Sequence, residues 1–256
     1  MRRVGLVLLL PLALTACSTS TRLGMRELTP TAHVQNAAKK TAASTSEHMT
    51  LRASVTLDAW KIAFSGRGDF DNEHHQGSFH IDIPYGGAID EVVDGTTIYL
   101  KSPLIVSLLP TGKTWMKLDL KKALASRGAA LSTLLSQDPA VALARLRSLG
   151  SARKVGDETI DGASTTHYRG RIDVSTLPQF SKLRQLGALG QGGYDVWIGK
   201  DDGYVRRVRF SYAAGKGTNA ALTMTFSDFG KALTVSVPAE SETVDGMNLA
   251  IPGLGG

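Results

Sequence analysis

The sequence predicts a mainly β fold with a few helices, built on one long antiparallel sheet. Three observations carry this. Apolar and polar residues alternate along several stretches: Leu51, Ala53, Val55 and Leu57 point one way, with Arg52, Ser54, Thr56 and Asp58 opposite. Three Asp-Gly pairs, Asp94-Gly95, Asp161-Gly162 and Asp202-Gly203, each separate two strand-like stretches. Asp and Gly tolerate the positive φ values that tight hairpins require. Helix signals are confined to the N-terminal part and to insertions in the middle of the chain.

The chain opens with Arg2 and Arg3, an apolar run from Val4 to Leu14 too short to span a bilayer, and then Leu14-Thr15-Ala16-Cys17. This resembles a bacterial lipoprotein signal with its lipobox. The resemblance implies a diacylglyceryl thioether on Cys17, cleavage after Ala16 and an N-acylated new terminus. An ordinary secretory signal before a free thiol, and a short membrane helix, are the alternatives. Cys17 is the sole cysteine, so no intramolecular disulfide can form. On the lipoprotein reading, everything after Cys17 lies outside the cytoplasm, anchored to the cell membrane by acyl chains such as palmitate. Each buried methylene adds roughly 0.8 kcal/mol to such an anchor.

Four regions are expected: a signal peptide over 1–16, a lipidated flexible tether over 17–30, a domain over 31–240 and a flexible Gly/Pro-rich tail over 241–256. The full chain holds 29 basic and 23 acidic residues. Without Arg2 and Arg3, 27 basic residues face 23 acidic ones, a balance of +4. That mild excess suits work beside anionic headgroups. The basic residues are scattered, which argues against nucleic-acid binding.

Pro30 to His48 reads as a helix capped by Thr31, with Val34, Ala37, Ala38 and Ala42 as a thin apolar stripe that packs lightly. Strands follow at Leu51–Leu57, at Trp60, Ile62 and Phe64 continuing through Phe70, and at Phe79–Ile83, where His80 and Asp82 take the polar side. Hairpins are expected about each Asp-Gly pair: Glu91–Val93 with Thr97–Leu100, Ala152–Val155 with Thr165–Ile172, and Tyr194–Ile198 with Val205–Tyr212. Trp115–Asp119 is a short strand and Leu120–Ser126 a helical turn or two. Asp138-Pro139 starts a helix through Leu149, with Gly150 beyond it. A further helix runs from Ser175 to Leu186. Thr218–Phe226 and Thr234–Val237 are the last strands. Nine to eleven strands with three or four helices exceed what a flat sheet accommodates, so the sheet must curl or split.

Four stretches carry a family resemblance: Thr114–Asp119; Val155–Gly162 with Thr165–Gly170; Asp195–Ile198 through Asp202–Arg207; and Thr225–Lys231. In this order and spacing the chain resembles the actinobacterial LppX/LprG-type lipoproteins of the LolA/LolB-like carrier superfamily. The likeness spans about residues 35 to 240, plus the lipobox. It implies a half-open antiparallel β-barrel, helices across the mouth and an apolar cavity that binds acylated lipid, or lipoprotein acyl chains, and moves it towards the outer envelope. It implies no catalytic set and no cofactor. The alternative is a non-transporting sensor that regulates a membrane-protein partner. No particular transporter partner is legible.

From pattern alone, Val55, Leu57, Ile62, Phe64, Phe79, Ile81, Ile83, Ile98, Leu100, Val196, Ile198, Val208, Phe210, Leu222, Met224 and Phe226 fill a core. The resemblance turns them into candidates for lining a lipid cavity. The apolar stretch Ser102–Pro110, flanked by Lys101 and Lys113, reads as a buried strand or loop, with a membrane-dipping flap as the alternative. His74 and His80 can share a face while His75 cannot, and Glu73 and Asp82 lie near. No His-Glu-x-x-His or Gly-x-Ser-x-Gly pattern accompanies them, so neither a metal site nor an enzyme is expected.

Overall fold

The structure, a computed structural model, describes residues 28–57, 60–84, 87–122, 150–172, 191–214, 217–246 and 249. Twelve strands form one sheet: β1 (Ser46–Leu57), β2 (Trp60–Asp71), β3 (Gln76–Ile83), β4 (Gly87–Asp94), β5 (Thr97–Lys101), β6 (Trp115–Asp119), β7 (Ala152–Ile160), β8 (Ala163–Ile172), β9 (Gln191–Gly199), β10 (Val205–Ala214), β11 (Thr218–Ser227) and β12 (Thr243–Asp245). Their order across the sheet is β12-β6-β5-β4-β3-β2-β1-β11-β10-β9-β8-β7. The β12–β6 pair is parallel and the rest are antiparallel. β7 and β12 are the two edges, so the sheet is open.

The register sorts side chains cleanly between two faces. One row runs Tyr168, Val196, Val208, Met224, Leu51, Gly66, Ile81, Ile89, crossing eight neighbouring strands. This is the apolar face. The residues between them, such as Arg52, Arg67, His80 and Arg209, stand on the polar face. Glycines on the apolar face make room for aromatic rings. A Cβ on Gly68 would stand 2.2 Å from Phe79 Cδ2, and one on Gly66 would stand 2.8 Å from Phe79 Cε1. The Phe79 ring therefore lies flat along β2, and the Tyr194 ring covers Gly170 in the same way.

Helix α1 (Pro30–Ala42) lies against β7, β9 and β10. Its N-cap is Thr29, which accepts from the Ala32 amide, rather than Thr31. The Thr31 hydroxyl instead accepts from the Ala152 amide at 2.9 Å and ties the helix start to β7. The helix ends at Ala42, six residues short of the expected end, and β1 begins at Ser46. The Thr41 hydroxyl donates to Ala37 O and accepts from the Val205 amide, both at 2.8 Å, which pins the last turn to β10. Val34, Ala37, Ala38 and Thr41 are buried, so the thin stripe is firmly docked and not lightly packed. Small side chains let the helix backbone approach the sheet closely.

Three further expectations are corrected. Thr234–Val237 is not a strand. The left-handed residues Asp228 and Gly230 turn the chain out of β11, and 231–239 carries it without ladder bonds to the far edge. There Glu240–Glu242 makes one 3-10 turn, and β12 pairs with β6 beyond the boundary set at 240. The stretch read as a buried strand or loop, with an exposed flap as the alternative, is helix α2 (Pro103–Leu108), capped by the Ser102 hydroxyl, with none of its residues buried. A proline at the first helical position preceded by serine is a helix start, and that local signal outweighs the apolar composition. The helices expected at 138–149 and 175–186 lie outside the described residues, as does most of 120–126. No helix among the described residues is long and apolar enough to cross a membrane.

Candidate functional site

The apolar face holds two clusters. The larger joins α1 to strands β1–β3 and β8–β11, and includes Phe79, Ile81, Val196, Ile198, Val208, Met224 and Phe226 as buried members. Phe64, Ile83, Phe210 and Leu222 pack against it while partly exposed. The smaller consists of Ile98, Leu100, Met116 and Leu118, with Ile105 of α2 against it. Ile89 touches both.

Most of the residues expected to line a cavity are thus gathered on one face. Ile62 pairs with Val55 on the same face but is 55% exposed, at the end of β2 beyond its pairing with β3. Val55 is half-buried, and the Leu57 side chain lies outside the described residues. Cys17 lies outside them too. Tyr168, Tyr194, Met49, Leu51 and Phe70 also belong to the larger cluster. Tyr194 shares its alternation with Val196 and Ile198, so the signal for it was in the sequence. The Tyr194 hydroxyl donates to Gly150 O at 3.1 Å, which satisfies its polar end.

The strand ends define an open rim. β1 passes to β2 at 57–60, β3 to β4 at 83–87, and β5 into α2 at 101–103; antiparallel pairing puts all three at one end of the sheet. Trp60 is 79% exposed there, Leu104 71% and Leu108 44%. An open recess of about 570 Å³ lies at this end of β2, β3 and β4, lined by Phe64, Ile83, Pro84 and Gly87 with polar-face neighbours Ser65 and Asp82. Pro103 of α2 closes on Gly87, 3.1 Å from where a Cβ would stand. Lys61 is exposed on the same rim, and Lys101 lies over the Trp115 ring at 5.6 Å.

Two acidic residues break the apolar face: Glu47, opposite Phe70 and 1% exposed, and Glu91. Glu91 pairs laterally with Phe79 on β3 and Leu100 on β5, and Ile89 and Val93 flank it along β4. It is 5% exposed, and burial pushes its carboxyl from the ordinary 4.5 up to about 7.

His48, His74, His80 and His167 each pair with a carboxylate. His80 lies between Asp90 (2.6 Å) and Asp82 (3.2 Å) on the polar face, and the Asp90 hydrogen bond raises its pKa. His74 pairs with Asp71 in the β2–β3 turn, and that hydrogen bond raises its pKa. His75 occupies a left-handed position in the same turn. A denser network surrounds His167, whose two ring nitrogens are each 2.7 Å from a carboxylate oxygen, of Glu158 and of Asp195. Trp197 stacks on His167, with ring centres 4.4 Å apart, and its indole N–H donates to Glu158. The indole bond, then the His167 bond, hold the Glu158 carboxyl below its usual range. Among the described residues no group of three or more His, Cys, Asp or Glu is placed to hold a metal ion.

Comparison with known proteins places this architecture. The chain is 27% identical over 150 residues to an uncharacterized 31.2 kDa protein of Streptomyces griseus encoded in the rplA-rplJ intergenic region, a match covering 52% of this chain and 48% of that one. The chain thus spans about half the length of that relative. Among solved structures it is similar to the lipoprotein LppX of Mycobacterium tuberculosis, with a TM-score of 0.53 and 21% identity over 80% of this chain and 97% of that one. It is also similar to LprF of Mycobacterium bovis, with a TM-score of 0.53 and 18% identity over 82% of this chain and 97% of that one. These likenesses show a shared fold. The family described as LppX_LprAFG lipoprotein matches residues 29–235, from the cap of α1 through β11 and past it, and the chain belongs to that family.

Proposed function

We propose that this protein is a membrane-anchored extracytoplasmic lipoprotein that holds acylated lipid against its apolar face and carries it towards the outer envelope. The observation that carries this reading is the apolar row eight strands wide on an open sheet. Shielding an acyl chain from water recovers roughly 25 cal/mol per Å² of apolar surface. A continuously apolar face on an open sheet offers surface of the kind that shielding needs. Membership of a lipoprotein family and the pattern ending at Cys17 support anchoring through that residue.

Loading and release take place at the rim. Trp60, Ile62, Leu104 and Leu108 present apolar groups to a bilayer, and Lys61 presents charge to anionic headgroups. Native mass spectrometry of the protein released gently from membranes, with the bound lipid extracted and identified, tests the reading. A bound lipid with acyl chains is expected. Protein that is lipid-free as isolated and takes up no lipid from vesicles would overturn it.

A further inference from the structure

A second recess, of about 400 Å³, spans β2, β1, β11 and β10. Eight of its ten lining residues hold polar-face positions in the register, so it lies on the side away from the apolar clusters. Its middle row is small: Ala221, Ser54 and Ala63 stand side by side on neighbouring strands. The next row on one side is Arg209, Thr223, Arg52 and Ser65. On the other side, at the rim end, stands Lys61. Short side chains thus hollow the floor while long cationic ones wall it.

The charge here is one-sided. Arg52, Arg209 and Lys61 line the recess and no carboxylate does. Other arginines of the sheet stand beside acids: Arg67 with Asp82, Arg169 with Asp195, Arg207 with Asp161. Among the described residues no ion pair or side-chain hydrogen bond engages Arg52, Arg209 or Lys61. The acids nearest in register are already held, Asp195 by His167 and Arg169, and Asp82 by His80 and Arg67. Arg52 and Arg209 both oppose Thr223, two strand spacings or roughly 10 Å apart. Like charges gathered so closely repel, and an anion between them turns repulsion into attraction.

We propose that this recess binds a phosphate group. The two guanidinium forks match phosphate oxygens, Lys61 adds a point charge, and the hydroxyls of Ser54, Ser65 and Thr223 donate to the oxygens that remain. A phosphate monoester carries about −1.5 to −2 charge and presents oxygens in three directions, which suits cations on both sides of a trough. A carboxylate, flat and singly charged, satisfies one side only. Two sources carry this chemistry: a lipid headgroup reaching round the rim beside Trp60, or a water-soluble phosphate ester. The site lies on the opposite face from the acyl-chain surface, so its failure would leave the carrier reading standing.

The test uses the full-length protein in neutral detergent micelles, in a phosphate-free buffer of low ionic strength, with binding read by titration calorimetry. The probes are glycerol 3-phosphate in the water and dioleoyl phosphatidic acid in the micelle. Glycerol and dioleoylglycerol are their phosphate-free counterparts. The wild type is expected to bind at least one phosphate probe more tightly than its counterpart. Arg52→Gln and Arg209→Gln should each reduce that preference about five-fold, and the double variant should abolish it. Arg153→Gln removes the same charge from the exposed surface of β7, outside the recess, and should leave the preference unchanged. All three side chains are exposed, so the variants should melt with the wild type. Arginine-dependent binding of glycerol 3-phosphate makes a soluble ester sufficient, and such binding of phosphatidic acid alone identifies a headgroup. No preference for either phosphate probe overturns the inference, as does a preference that survives in the double variant. An equal loss in Arg153→Gln also overturns it, because diffuse surface charge would then account for the binding.

Discussion

Burial gives Glu91 a folded-state pKa of about 7, against 4.5 when the chain is unfolded. Below 4.5 both states hold the proton and the residue contributes no pH dependence. Between 4.5 and 7 the unfolded chain releases the proton first, so stability falls as pH rises. The loss is complete above 7 and amounts to about 3 kcal/mol. His80, with its raised pKa, adds a loss in the same direction as pH rises past its folded value. Comparing wild type with Glu91→Gln isolates the first contribution: melting temperatures measured from pH 4 to 8 should fall less steeply in the variant. A parallel fall in both proteins would contradict the assignment. A second test at this scale is Gly68→Ala. The new methyl would meet Phe79 Cδ2 at 2.2 Å and the Ser78 carbonyl oxygen at 2.3 Å. The backbone oxygen cannot move aside cheaply, so a loss of about 1–3 kcal/mol is expected in denaturant titrations. The sequence revealed little of either residue. Glu91 is followed by Val92 and Val93, both apolar, and Val92 is buried from the polar side, so alternation around Glu91 is blurred. The need for glycine at position 68 lies in a ring on the next strand, which local pattern cannot convey.

Helix α2 shows how an element can be placed correctly along the chain and misread in kind. Five apolar residues and one serine between prolines suit a buried strand by composition, yet the serine cap and N1 proline make a helix whose leucines face outward. The consequence can be measured. Leu108 is substantially exposed, so Leu108→Asp should change stability by no more than about 0.5 kcal/mol. On the proposed function, the same change should slow lipid exchange with anionic vesicles about five-fold, since one charge near such a surface is worth about 1 kcal/mol. Early melting of the variant would show that the helix is buried in solution, and an unchanged exchange rate would remove it from the rim. Helix α1 was legible in its first residue, Pro30, but not in its cap, which is Thr29 and not the expected Thr31, nor in its end. The alanine-rich run continues into Ala43, and only the tertiary bond between Thr41 and the Val205 amide decides where the last turn is held.

At the scale of the whole molecule, hairpins were readable and seams were not. The three Asp-Gly pairs read as hairpin turns do join neighbouring strands, with Gly95, Gly162 and Gly203 all at positive φ. The antiparallel β1–β11 ladder and the parallel β12–β6 pair join segments far apart in sequence, for which no turn signal exists. The anchor also belongs to this scale. Cys17→Ala is expected to leave the precursor unprocessed and to abolish incorporation of radiolabelled palmitate. Equal labelling of wild type and variant would place acylation elsewhere.

The β1–β11 ladder also sets the order in which the chain can fold. His48 pairs with Ser227 and Thr56 with Asn219, so the first strand to be synthesised meets its second neighbour only when the last long strand arrives. Until then β1 can pair with β2 alone, and its other edge is a row of open amides and carbonyls, able to recruit a strand from another chain. Closing so long a loop is slow, because its entropy must be spent before the contacts form. In a chain that emerges N-terminus first, that edge stays open until β11 arrives, and the period before closure is when a chaperone would be needed most.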